Sequence, residues 1–73
     1  MHTQIIMDRS GDTRHRFDPD DASAVAEAER RFAGLIDAGF EAAKRIGNGT
    51  SELIREFDPS AQETVFIPRL IGG

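Results

Sequence analysis

The sequence predicts a small α+β domain: a β-hairpin, one helix at about residues 19–38, then two or three strands, with a mixed sheet of four or five strands wrapped over the helix. Three observations lead there. A β-branched run and an alternating run bracket a glycine turn near the N-terminus. One longer segment carries apolar residues at helical spacing behind an Asp-Pro start. After Gly39 the chain divides into short runs punctuated by glycine and proline.

Thr3–Asp8 (TQIIMD) reads as the first strand. Alternation places Ile5 and Met7 on one face, expected to be the core face, and Gln4 and Ile6 on the other. Ser10-Gly11-Asp12 is a turn signal, with Gly11 able to take a positive φ. Thr13–Phe17 alternates through Thr13, His15 and Phe17 and closes a hairpin over residues 3–17. Asp18-Pro19-Asp20-Asp21 then starts the helix: Asp18 as N-cap, Pro19 at the first helical position, and two further carboxylates at the positive end of the dipole. Val25, Ala28, Phe32, Leu35 and Ile36 form the apolar stripe, and Glu27, Glu29, Arg30 and Arg31 face away from it. Gly39 is the expected terminator.

Phe40–Ile46 has the alanines and charges to prolong the helix, but Gly39 before it and Gly47-Asn48-Gly49-Thr50 after it favour a strand ending in a hairpin turn. Ser51–Phe57 is the next strand, with Leu53 and Phe57 on one face. Asp58–Ala61 makes a turn or a single helical turn. Thr64–Ile71 is the most strand-like segment of all; Pro68 lacks an amide, so that end belongs at a sheet edge or leaves the sheet.

The chain's 73 residues make one domain, which buries only roughly 60% of the surface its unfolded form exposes. There is no cysteine, hence no disulfide, thiolate metal site or cysteine nucleophile. With 38% hydrophobic and 30% charged residues the composition is globular. A net charge of −4 argues against nucleic acid as a partner, because phosphates need a basic stripe. No apolar run reaches membrane-spanning length, and Met1–Asp8 lacks the features of a signal peptide, so a cytoplasmic protein with no membrane contact is expected. No enzymatic role and no cofactor or metal are expected. None of the four serines lies in a GxSxG elbow, and the Asp18, Asp20, Asp21 cluster lacks the later carboxylate of a calcium loop. Gly47–Thr50 lacks the lysine and the following helix of a phosphate cradle.

The informative segment is the last one. Arg69-Leu70-Ile71 follows the apolar strand and leads to Gly72-Gly73. Two residues without Cβ can thread a narrow channel and deliver a terminal carboxylate to a reactive centre. In order and spacing, Gln4-Ile5-Ile6-Met7 with Gly11-Asp12-Thr13, Asp18-Pro19-Asp20-Asp21, Phe40–Ile46, Asp58–Ala61 and Thr64–Gly73 resemble the ubiquitin-like β-grasp proteins nearly end to end. Sulfur carriers of the MoaD and ThiS kind are relatives on the same fold. The resemblance implies a β-grasp domain over residues 1–69 and a flexible tail at 70–73. It implies activation at Gly72-Gly73 by an E1-like adenylating enzyme, with Arg69 and Leu70 contacting that enzyme and an acceptor protein receiving Gly73. Ile71 departs from the family, which has a second basic residue there.

The basic residues are eight arginines and a single lysine, Lys44, the one side-chain acceptor available for self-conjugation. That suits a single-use modifier or a sulfur carrier better than a chain-former, and the protein is expected to be monomeric. Three functions stay open: a modifier attached through Gly73, a carrier with a thiocarboxylate at Gly73, or an interaction module whose Gly-Gly is incidental. Ile6, opposite the expected core face of its strand, is expected to join Ile67 or Val65 in an exposed docking patch.

Overall fold

The computed structural model describes residues 1–69. The elements are β1 (His2–Asp8), β2 (Gly11–Phe17), α1 (Ala22–Asp37), β3 (Phe40–Gly47), β4 (Thr50–Ile54) and β5 (Glu63–Pro68). They form one five-stranded sheet in the order β2-β1-β5-β3-β4. β1 and β5 pair in parallel, while β1–β2, β3–β4 and β3–β5 are antiparallel. A hairpin, a helix crossing one face, and a last strand inserted between the first hairpin and β3 make a ubiquitin-like β-grasp topology. The expected tail at 70–73, with Leu70, Gly72 and Gly73, lies outside the described residues.

Local chemistry accounts for the boundaries. Gly11 takes φ 123° at the hairpin turn, a backbone conformation that L side chains rarely adopt. Asp8 holds the same turn by accepting from the Ser10 amide at 2.8 Å and its hydroxyl at 2.6 Å. The helix begins three residues later than the Asp-Pro signal suggests. Asp21, not Asp18, is the N-cap, its carboxylate accepting from the amides of Ser23 and Ala24. Asp18 accepts instead from the Asp20 amide through its side chain and from the Asp21 amide through its carbonyl, so 18–21 is a turn with Pro19 at its second position. Residues 18–21 hold three carboxylates able to cap, and sequence alone does not say which one does.

At the other end Ala38 and Gly39 donate to the carbonyls of Gly34 and Ile36, and Gly39 takes φ 97°. That left-handed residue breaks the helix and releases Phe40–Gly47 as a strand. β4 ends at Ile54, shorter than expected. Leu53 and Phe57 therefore do not share a face: Leu53 is exposed, and Phe57 turns back onto the core. β5 occupies the sheet centre, and Pro68 is tolerated because it is the last strand residue, beyond the β1 pairing that ends at Phe66.

The core is Phe32 of α1, Ala42 of β3 and Phe66 of β5, with Ile6, Leu35, Ile36, Phe40, Ile54 and Phe57 packed around it. Phe32 meets Phe66 and Phe57 edge-on, with ring centroids 5.6 and 5.9 Å apart. The face of β1 that meets the helix is the one carrying Gln4 and Ile6, opposite to expectation. Ile6 packs on the core and Met7 is exposed, while Ile5, on the far face, is itself buried, as expected. Gln4 is buried because its polar ends are matched: the amide donates to the Ala28 carbonyl of α1 at 3.0 Å, and the side-chain oxygen accepts from the Arg31 guanidinium at 2.8 Å. Arg31, expected to face away from the stripe, is thus half-buried against the sheet.

Candidate functional site

Two regions hold the residues singled out from sequence. The first is the end of β5. As the central strand it is fixed on both sides, by β1 and by β3 as far as Phe40↔Pro68. The next residue, Arg69, donates its amide to the Gly39 carbonyl at 3.1 Å. The same left-handed glycine that ends the helix therefore anchors the point where the chain leaves the sheet. The Arg69 side chain is exposed, and its Nε lies 3.7 Å from a Glu41 carboxylate oxygen, a solvent-screened pair of small energetic weight. Beside it a cleft of about 460 Å³ is lined by Ile36, Phe40, Leu53, Arg55 and Arg69. Glu41 lines the same cleft, so two guanidiniums, a carboxylate and apolar side chains meet there.

The second region surrounds Lys44. Its ammonium donates to Asp58 Oδ2 at 2.7 Å, with both side chains about three-quarters shielded. Asp58 Oδ1 accepts from the Ser60 amide and hydroxyl at 2.9 and 2.6 Å. The bond from Lys44, and then those from Ser60, hold the Asp58 carboxyl down at about 2. Hydrogen bonding to Asp58 raises the Lys44 ammonium above its ordinary range. An acceptor lysine must present a neutral amine. The 2.7 Å contact ties this one to the loop after β4 and makes it a clasp between β3 and residues 58–60.

The two proposed docking residues are on opposite faces. Ile6 packs against the Phe32, Ala42, Phe66 cluster under the helix, so it leaves the proposed patch. Ile67 is exposed on the other face. Strand register identifies its company: Arg14, Ile5, Val65, Ala43 and Leu53 lie in one row across all five strands, with Met7 and Ile67 in the next. Met7 is exposed because β1 turns its other face to the helix, and Leu53 is exposed because β4 ends at Ile54 and Phe57 leaves its face. The available signal was the β2 alternation, where Phe17 faces the core and Arg14 and Arg16 face out.

Among the described residues no cluster of three or more metal-ligating side chains forms, and no helix is long and apolar enough to cross a membrane. No family model, characterised protein or solved structure gives a significant match to this chain. The class defined here is therefore that of the fold, a ubiquitin-like β-grasp domain.

Proposed function

We propose that this chain is a small ubiquitin-like protein modifier, activated at the Gly73 carboxylate by an E1-like adenylating enzyme and passed to an acceptor protein. The observation that carries the reading is the delivery of β5. The central strand of a β-grasp sheet ends at Pro68, Arg69 is pinned to Gly39 and exposed, and the sequence continues Leu70-Ile71-Gly72-Gly73. In that role the folded domain is a handle, Arg69 meets a carboxylate of the activating enzyme, and Gly72-Gly73 lets the main chain pass a narrow channel. The carboxylate attacks the α-phosphorus of ATP and pyrophosphate leaves; a nucleophile of the partner then attacks the acyl carbon of the adenylate, and AMP leaves.

The clasped state of Lys44 argues against chain building and leaves a second reading on the same first step beside the single-use modifier. A chain without a free acceptor lysine serves equally as a sulfur carrier, with a thiocarboxylate at Gly73. ATP–pyrophosphate exchange with an adenylating enzyme from the source cell tests the shared step. Exchange is expected for the wild type and should fall to background for Gly72→Trp and for a variant with one residue added after Gly73, with folding unchanged. Equal exchange by all three defeats the proposal. Intact-mass analysis then separates the two readings: a branched Gly-Gly remnant on a target lysine marks the modifier, and replacement of oxygen by sulfur at Gly73 marks the carrier.

A further inference from the structure

We propose that Asn48-Gly49 is a site of spontaneous covalent modification, at which the chain converts its own asparagine to aspartate and isoaspartate through a cyclic imide. The inference stands apart from the Gly73 reading and uses none of residues 70–73. Asn48 is the only asparagine of the chain, and glycine follows it. A main-chain nitrogen can attack the carboxamide of the preceding residue only where nothing crowds its approach, and a residue without Cβ crowds it least. The structure leaves both reacting groups open. Asn48 and Gly49 are exposed in the loop that joins β3 to β4. A Cβ placed on Gly49 would meet no atom within 4 Å beyond its chain neighbours, so no other element lies over the nucleophile. Among the described residues the Asn48 carboxamide enters no hydrogen bond, and the Gly49 amide donates to no acceptor. Neither partner has a competing bond to give up.

Water is the only co-reactant. The Gly49 nitrogen, losing its proton, attacks Asn48 Cγ. The new C–N bond closes the imide ring, the Cγ–Nδ2 bond breaks, and Nδ2 leaves as ammonia with that proton. Water then adds to one of the two ring carbonyls. Opening at Cγ restores the ordinary main chain and gives aspartate. Opening at the Asn48 carbonyl carbon routes the main chain through Cβ and gives isoaspartate. One water enters, one ammonia leaves, and nothing is oxidised or reduced. Either product adds a negative charge to a chain that already carries −4. Its surroundings are defined: Asn48 borders a cleft of about 560 Å³ with Lys44, Arg45, Asp58 and Ser60. Lys44 is committed to Asp58 at 2.7 Å, whereas Arg45 is exposed and lies 3.6 Å from Glu63. Arg45 is therefore the cation of this cleft that can turn to the new carboxylate, since its present pair is solvent-screened and weak. In the isoaspartyl product the main chain between the paired residues Gly47 and Thr50 gains one carbon, so that end of the β3–β4 ladder is the part that opens. The rim of the cleft beside the Lys44 clasp thus changes with the age of the chain.

The test is incubation of the folded full chain at neutral pH and physiological temperature, beside the same chain unfolded in urea and an unincubated sample. Intact mass should rise with first-order kinetics by the difference between a hydroxyl and an amino group. Trypsin cuts after Arg45 and Arg55, so the gain should lie in the fragment of residues 46–55, which chromatography resolves into aspartyl and isoaspartyl forms. The folded chain should convert within roughly tenfold of the rate of the unfolded one, a difference of at most about 1.4 kcal/mol in barrier. Asn48→Gln, shown by circular dichroism to be folded, should gain no mass over the same period. The proposal is overturned by a folded chain that gains no mass or converts more slowly than that limit. It is equally overturned by a gain placed at Gln4 or Gln62, the two other carboxamides of the chain, or by a gain that persists in Asn48→Gln. An aspartyl product without the isoaspartyl form would mark direct hydrolysis of the side chain in place of the imide, and would overturn it too.

Discussion

Replacing Arg31 by Met tests whether Gln4 is buried because of its partners. The Gln4 side chain is 1% exposed, and its oxygen accepts only from the Arg31 guanidinium, at 2.8 Å. Arg31→Met leaves that oxygen buried and unmatched, which costs about 1–3 kcal/mol. Gln4→Leu removes both polar ends and keeps the volume. The Ala28 carbonyl retains its helical bond, and the half-buried guanidinium of Arg31 can turn to water, so this change should cost less than about 1 kcal/mol. The double variant should then be no worse than Gln4→Leu alone, giving a coupling on the order of 1–2 kcal/mol. A chain of this size has a total stability of roughly 4–11 kcal/mol, so the Arg31→Met loss is a large fraction of it. The chain has no Trp or Tyr, so unfolding in urea is best followed by far-ultraviolet circular dichroism. If Arg31→Met is silent while Gln4→Leu is the costly change, the hydrogen-bond account of the buried glutamine is wrong.

The Asp58 carboxyl, held at about 2 against an ordinary 3.8, is depressed in the folded state. It adds stability that is fully present above the unfolded value and is lost as pH falls through the folded one. The urea midpoint of the wild type should drop more steeply between those values than that of Asp58→Asn, whose Ser60 contacts can persist; parallel profiles would contradict the assignment. Lys44 gives the opposite sign, its contribution being lost only at alkaline pH above its raised value. Ile6→Ala should cost about 2–3 kcal/mol, whereas Ile67→Ser should stay within about 0.5 kcal/mol; equal losses in urea would show that the faces of the sheet are misassigned. Asp21→Ala should cost about 1 kcal/mol through loss of the helix cap, and Asp18→Ala less; thermal unfolding that ranks them the other way would restore Asp18 as the cap.

The element sequence was legible because it is written in local chemistry. Gly11 and Gly39 sit where positive φ is required, and Pro68 marks the point where the central strand stops pairing. Phe40–Gly47, able to extend the helix by composition, is a strand because Gly39 interrupts it, and that signal too is local. The phase of β1 was not legible. Ile5, Ile6 and Met7 are adjacent and all apolar, so alternation distinguishes two faces without saying which meets the helix. The one polar residue, Gln4, points the wrong way until Ala28 and Arg31 arrive from 24 and 27 residues downstream. Ile6 and Ile67 consequently looked like neighbours and lie on opposite faces. Lys44 likewise reads as a free acceptor until Asp58 reaches it across 14 residues. By itself the sequence determined the order of strands, turns and helix, since backbone preferences act within a few residues, but not the cap that starts α1 or the end of β4. Which face of each strand is wet, and which charges are paired, was decided only when distant segments met, because burial and pairing are properties of that meeting and not of the residues alone.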